Sequence, residues 1–261
     1  MTQGARGGAR GKRGQRPQAP LAIGSSPREA AALEAMHKMD MHSLIDPAIL
    51  YFGTPVVLVS SLNEDGSPNL APMSSAWWLG HSCVLGFGAR SKTPQNILRT
   101  SQCVLNLPSV REVAAVDRLA RTTGSDPVPA HKAAKGYRHV ADKFGVAGLT
   151  ALPSVEVGPP RVAECPVHLE AILCAHHGLA DGDPTQRGHL VSLEVRIVRV
   201  HVAEELRKEG EPDCIDPLKW RPLIMSFAHF FGLGPSVHPS SLAEIPERLY
   251  RPRGDGAPGD G

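Results

Sequence analysis

The sequence predicts a mostly β protein built as a small closed or split barrel with peripheral helices. Three observations carry that expectation. Residues 55–62 (PVVLVSSL) are rich in β-branched residues and read as a strand. Residues 63–67 (NEDGS) follow as a turn, with Asp65 and Gly66 able to take positive φ, and residues 69–75 return as a second strand. Most telling is the stretch 190–202. Leu193, Val195 and Ile197 alternate with polar residues, and then Val198, Val200 and Val202 do so in the opposite phase. A period-2 pattern that slips by one residue marks a β-bulge or sharp bend, which a small barrel needs if its strands are to wrap.

The remaining elements follow in order. Residues 83–88 (CVLGFG) and 103–107 (CVLNL) read as strands. Between them residues 94–99 read as a short helix, with Thr93 as N-cap and Pro94 at the first helical position. Residues 110–121 place Val113, Val116, Leu119 and Ala120 at helical spacing. A polar, proline-containing loop is expected over 122–136, another helix over 138–145, and strands over 166–173 and 190–202. The organisation is therefore a disordered Arg/Gly-rich tail (1–27), a helical lead-in (28–45), the barrel (46–215), an extension packing on the barrel or on a dimer partner (216–250), and a second disordered tail (251–261).

Composition excludes several classes. The 261-residue chain carries a net charge of +2, so no polyanionic partner is implied overall. The charge is uneven, since Arg6, Arg10, Lys12, Arg13, Arg16 and Arg28 all precede the first acid, Glu29. That arm has two readings, a phosphate-clinging segment and a solvated tail; the second is the expectation, and no nucleic-acid partner is assigned. Five cysteines, an odd number without a C-x-x-C, read as buried thiols in a reducing compartment. No apolar signal core and no run of about 18 apolar residues occurs, so a cytoplasmic protein without a membrane partner is expected. His168, His176 and His177 neighbour Cys165 and Cys174, but the intervening strand separates them and no metal site is assigned.

Two segments carry candidate chemistry. In residues 88–96 (GARSKTPQN) a strand ends, Arg90, Ser91, Lys92 and Thr93 follow, and a helix begins. Unpaired N–H groups and the positive dipole end of a helix, joined by two cations and two hydroxyls, make a compact phosphate site. The same residues also suit a capped helix with solvated cations, and the residues alone leave both open. Residues 69–75 (NLAPMSS) are small and hydroxyl-bearing, which suits a flat ligand lying against the backbone or an ordinary barrel strand.

The stretches GTPVVLVSSLNEDGSPNLAPMSSAWWLG, GFGARSKTPQNILRTSQCVLNLPS, ADKFGVAGLTALPSVEVGPPRVAECPVHLEAIL and RGHLVSLEVRIVRVHV resemble, in order and spacing, the flavin-reductase-like FMN-binding split-barrel family of flavin reductases and flavoredoxins. The resemblance covers about residues 50–202. It implies a six-stranded Greek-key FMN-binding split β-barrel that dimerises, with the flavin near the interface. It implies that Asn69, Ala71, Pro72, Met73, Ser74 and Ser75 lie along the isoalloxazine ring and ribityl chain. It also implies that Ala89, Arg90, Ser91, Lys92 and Thr93 form the phosphate loop with Asn96 behind it. An acid often stands in the family where this chain has Pro94. The implied activity is an FMN-dependent, NAD(P)H:flavin reductase-like oxidoreductase with NAD(P)H as transient co-substrate and an oxygenase as a partner for the reduced flavin. The alternative is a non-catalytic FMN-binding electron carrier or flavin-holding module. No G-x-G-x-x-G strand–turn–helix unit is present for a resident nicotinamide, and no side chain is assigned a catalytic role because the cofactor carries the chemistry.

Two aromatic groups complete the reading. Trp77 and Trp78 suit core or interface packing, with ring stacking as the alternative. Residues 225–234 (MSFAHFFGLG) suit a dimer-contact helix end, with a lid carrying His229 as the alternative.

Overall fold

The structure, a computed structural model, describes Arg28 and residues 42–250. The tail readings for 1–27 and 251–261, and the helical lead-in over 29–41, lie outside the described residues. The chain divides into two units, Met1–Ala48 and Ile49–Gly261, and the second carries everything that follows.

Its elements, in order, are β1 (Phe52–Pro55), β2 (Val57–Leu62), β3 (Pro68–Met73), β4 (Ala76–Leu79), β5 (Ser82–Gly88), α1 (Lys92–Thr100), β6 (Gln102–Leu107), α2 (Val113–Leu119), α3 (Ala130–Ala133), α4 (Lys143–Ala147), β7 (Val167–Leu179), β8 (Leu190–Val202), β9 (Leu223–Ser226) and β10 (His229–Gly232). Seven of the strands form one sheet in the order β3-β2-β6-β7-β8-β5-β4, every pairing antiparallel. The edge strands β3 and β4 are joined only by Ser74 and Ser75. Three peptide steps reach about 10 Å at most, so the sheet must curl until its two edges meet there. The result is a mostly β split barrel with no closed ring of hydrogen bonds. The seven strands, against the six implied by the resemblance, include β4 over Ala76–Leu79, where the sequence suggested no strand.

The phase slip read in 190–202 is a bulge. Glu170 pairs with Arg199 and Ala171 with Ile197, so Val198 is the extra residue; β7 carries its own bulge at Cys174, between the Leu173–Val195 and Ala175–Glu194 pairs. Burial explains the continuous apolar run of β2. Val57 and Val59 join the interior cluster with Leu85, Leu105, Leu193 and Val195. Val56 and Leu58 face the other side, in a cluster with Leu70, Val116, Leu119, Phe144 and Ala147. A strand covered on both faces loses the polar alternation of a half-exposed one. The outer cluster fixes α2 and α4 against β2 and β3. Arg118 Nε also donates to the Ala147 carbonyl at 3.1 Å, tying the two helices together.

Glu170 is fully buried on β7 and accepts backbone N–H groups from Val155, Glu156 and Val157 while His201 Nε2 lies 2.7 Å away. Burial raises its pKa, but those donors outweigh it and hold the carboxyl below its usual range. This carboxylate pins the connection 151–162 to the barrel wall, together with Gln102 Oε1 on the Gly158 N–H and Asn106 Oδ1 on the Val162 N–H.

Four local expectations are corrected. The helix expected over 94–99 is α1, which starts earlier, at Lys92. The expected helix over 138–145 is instead a short parallel pairing of Thr122–Thr123 with Arg138–His139, followed by α4. Asp142 accepts the Gly145 N–H at 2.8 Å and so starts a new helix where the apolar spacing suggested an earlier one. The strand expected to reach Ser75 stops at Met73. The expected helix end at 225–234 is the hairpin β9–β10, and β9 pairs with β1. Among the described residues, no helix is long and apolar enough to cross a membrane.

That hairpin turns through Phe227 and Ala228 at φ of 45° and 65°, a primed turn made without glycine. The Phe227 ring meets Phe52 edge-on at 4.8 Å, which gives that position a reason to keep its side chain. Ala228 has none, and a Cβ in the left-handed region costs about 1 kcal/mol or more. Ala228→Gly is therefore expected to raise unfolding free energy by about 0.5–1 kcal/mol in urea titration. A destabilised variant would show that the turn does not set the hairpin's energy.

Candidate functional site

The strand β5 ends at Gly88, the chain turns with Ser91 N–H donating to the Gly88 carbonyl at 2.9 Å, and α1 begins. Ser91, not Thr93, is the N-cap residue, and its side chain caps nothing. The helix start lies two residues earlier because Pro94, which lacks an N–H, fits the first turn equally well one or two positions in. The N–H groups of Lys92 and Thr93 thus stand at the helix start with no intrahelical acceptor, and the Ser91 hydroxyl is left for other partners.

Beneath this start lies a buried polar hub. Asn69 Nδ2, from β3, donates to Ser61 Oγ at 3.3 Å and to Thr93 Oγ1 at 3.1 Å. Asn96 Nδ2, from α1, donates to the same Ser61 Oγ at 3.2 Å and to Asn63 Oδ1 at 2.9 Å. The two segments nominated separately from sequence are thereby bound into one constellation, with Ser61 of β2 as the shared acceptor. Asn69 Oδ1 is buried without a partner, and Asn69 is one of the residues lining a cavity of about 360 Å³, with Asn63, Lys92, Gly124 and His139. Lys92 Nζ sits 3.3 Å from Glu64 Oε2, a surface pair worth about 0–1 kcal/mol that an incoming anion can displace.

The other nominated residues are less tightly joined. Ala71, Pro72 and Met73 lie half-buried along β3, and Met73 packs against the interior cluster together with Ala89. Ser75 is exposed and its carbonyl accepts the Gly86 N–H at 2.8 Å, leaving Ser74 and Ser75 at the slit between the sheet edges. Arg90 is exposed with no hydrogen bond or ion pair among the described residues. Trp78 packs on the interior cluster while Trp77 is exposed on the edge strand β4.

Two groups were missed. The first is a second, larger cavity of about 640 Å³ at the far end of β8, lined by Arg161, His168, His201, Arg207 and Cys214 among others. His168 is bonded through Nδ1 to Asn106 Oδ1 at 3.1 Å, and burial pushes its pKa down to about 4, so it stays neutral. The second group borders the helix start itself. The segment read only as a polar loop carries Lys132, whose Nζ donates to Ser91 Oγ at 3.2 Å. Gly124 of the same segment lies so close that a Cβ there would sit 2.7 Å from Asn69 Oδ1 and 3.1 Å from Lys92 Cγ. Lys143, at the start of α4, is 3% exposed. A lysine in a polar stretch reads as solvated; the one available signal was the Phe144 and Ala147 pair, whose burial carries its neighbour inward.

Compared with known proteins, residues 49–234 match the flavin reductase like domain. The chain is 38% identical over 193 residues to the uncharacterized protein YdfE of Bacillus subtilis (strain 168), covering 74% of this chain and 90% of that one. Among solved structures, the flavoredoxin of Desulfovibrio vulgaris (Miyazaki F) aligns with a TM-score of 0.62 at 20% identity over 78% of this chain and 100% of its own. Nitrilotriacetate monooxygenase component B from Bacillus cereus aligns with a TM-score of 0.57 at 22% identity, over 85% and 100%. At those identities the two structures establish the shared fold.

Lys143 has an energetic consequence of its own. Burial first, and the neighbouring Lys132 charge second, push its pKa from 10.5 down to about 8. It has no ion pair or hydrogen bond among the described residues, so the folded state holds an uncompensated cation. At pH 7 both folded and unfolded chains carry the proton and the whole penalty applies. Between about pH 8 and 10.5 the folded chain releases the proton first and the penalty fades. Lys143→Met is expected to raise the stability of the ligand-free protein by about 1–3 kcal/mol at pH 7. The gain should shrink toward zero by about pH 10.5, the ordinary lysine value. Thermal melts across pH that show no gain at pH 7 would mean the ammonium is solvated.

Proposed function

This chain belongs to the flavin reductase like family, and from that premise we propose that it binds FMN at the start of α1 and acts as an NAD(P)H:flavin reductase-like oxidoreductase. The observation that favours FMN over an unphosphorylated flavin is the convergence of Arg90, Lys92 and Lys132, the hydroxyls of Ser91 and Thr93, and two free N–H groups on one helix start. Asn69 lines the adjoining cavity and its Oδ1 is an acceptor with no partner, which suits a ribityl hydroxyl able to donate to it. The residues present therefore fit the cofactor.

In this reading Arg90, Lys92, Ser91 and Thr93 hold the phosphate, with Ala89 shaping the turn and Asn96 bracing the hub from behind. Asn69 meets the ribityl chain, and Ala71, Pro72, Met73, Ser74 and Ser75 present small side chains and backbone at the slit, where a flat ring can lie. Bound FMN supplies the hydride-accepting chemistry; the chain orients it and leaves one side open to a transient nicotinamide. The exposed Trp77 and Leu79 of edge strand β4 favour a homodimer that covers them. The Bacillus cereus structure is named as a monooxygenase component, which favours an oxygenase as consumer of the reduced flavin.

Two measurements test this reading. FMN is expected to bind more tightly than riboflavin, and Arg90→Ala or Lys92→Ala is expected to lower the ratio of the two affinities about tenfold to a hundredfold while riboflavin binding holds. Equal affinity for the two flavins in wild type would sink the phosphate assignment. Separately, the FMN-loaded protein is expected to oxidise NADH or NADPH with turnover. Tight FMN binding without oxidation of either would leave a flavin-holding module.

A further inference from the structure

We propose that the cavity of about 640 Å³ at the far end of β8 is a second ligand site, taking a small hydroxylated organic acid with its carboxylate on Arg161 and its hydroxyl on His168. The site shares no lining residue with the flavin seat at α1 and does not depend on what binds there.

The histidines of the lining have their roles fixed by their neighbours. Asn106 Nδ2, from β6, donates to the Leu58 carbonyl at 2.9 Å, so its Oδ1 is the acceptor, and that oxygen takes the Val162 N–H at 2.8 Å. His168 Nδ1 lies 3.1 Å from the same oxygen and must therefore donate to it. Burial first, and the Arg161 charge second, keep the ring neutral. Its lone pair then stands on Nε2, which has no partner among the described residues. His168 is only 7% exposed, and it lines the cavity. Its cross-strand neighbour His201 lines it too, with the ring centroids 6.1 Å apart, and is held from behind by Glu170. A pair of rings oriented by an amide and a carboxylate could serve a metal, but among the described residues no third ligand joins them.

Charge and shape then select the ligand. The lining holds two arginines and two acids. Arg207 answers both acids, bonding Glu204 Oε1 at 2.6 Å and feeling Asp213 as a weaker attraction. Arg161 has no carboxylate partner among the described residues. Its Nε and Nη2 donate to the Pro153 carbonyl at 3.1 and 3.0 Å, which fixes the guanidinium and leaves Nη1 over. Arg161 adjoins Val162, whose N–H shares the Asn106 oxygen with His168, so cation and acceptor belong to one wall. A fixed, unpaired guanidinium beside a concave surface takes a carboxylate. The lone pair of His168 asks for a hydrogen-bond donor. An ammonium would be repelled by Arg161, so a hydroxyl is the donor that fits. Val200 and Ile215 line the same cavity while 46% and 39% exposed, and Pro166 and Val202 join them. Exposed apolar side chains gathered on a concave wall suit the carbon skeleton of the acid.

Calorimetric titration of the full-length protein with para-hydroxybenzoate, benzoate and phenol tests the site. Para-hydroxybenzoate is expected to bind about tenfold or more tightly than benzoate, which lacks the donor, and than phenol, which lacks the anion. Arg161→Gln is expected to weaken para-hydroxybenzoate about tenfold or more while phenol binding and FMN affinity hold. His168→Phe is expected to erase the advantage of para-hydroxybenzoate over benzoate. Should that variant not fold, the wild-type series and Arg161→Gln decide. Saturating FMN is expected to leave para-hydroxybenzoate binding unchanged. No heat of binding up to millimolar para-hydroxybenzoate overturns the proposal, as does equal affinity for the three probes or an Arg161→Gln chain that binds like wild type. Displacement by FMN also overturns it, since the acid would then lie in the flavin seat.

Discussion

Ser74 and Ser75 are the only link between two strands that stand at opposite edges of a seven-stranded sheet. Most of the molecule's geometry follows from that constraint. The edges must meet, so the sheet curls; a curled antiparallel sheet needs strands that bend, and β8 and β7 supply the bends through the extra residues Val198 and Cys174. The curl also brings the start of β3 and the end of β5 to one side, although they belong to opposite halves of the sheet. Asn69 can then reach Thr93, 24 positions along the chain. The same hub is also held from the other direction, since α1 runs into β6 and β6 pairs with β2.

The hub converts a barrel rim into a rigid seat. Ser61, Asn69, Thr93 and Asn96 are all buried, and each hydrogen bond among them fixes an element against another: β2 to β3, β3 to α1, α1 to β2. Neutral amides and hydroxyls do this work, without any charged group among them. The amide nitrogens of Asn69 and Asn96 are satisfied within the hub, while their Oδ1 atoms remain buried acceptors without a partner.

How much of this the sequence disclosed depended on whether a signal was local. The bulge was legible because alternation slips within one strand, at Ile197–Val198, and a slip needs no partner to be seen. The loop 88–93 was legible because a strand end, cations and a helix start fall within a few residues. Thr93 was misplaced as the cap because proline is favourable throughout the first helical turn and so does not fix the first residue. The hairpin at 223–232 was hidden because its turn uses Phe227 and Ala228, which do not advertise positive φ, and because its strand partner β1 lies far back in the chain. Lys143 was hidden for the deepest reason. Its burial is decided by what Phe144 and Ala147 pack against, which is Leu58 and Leu70, and no window around residue 143 contains that information.

Lys143 shows what local packing can impose on a neighbour. Phe144 and Ala147 belong to the outer cluster, and Lys143, next to Phe144 in the chain, is 3% exposed with no ion pair or hydrogen bond among the described residues. An apolar residue there would remove a buried charge. Burial first, and the Lys132 charge second, push its pKa down to about 8, so the cost is whole at pH 7 and fades only as the folded chain releases its proton at higher pH. The apolar anchors of α4 are thus set at the cost of one uncomfortable cation beside them.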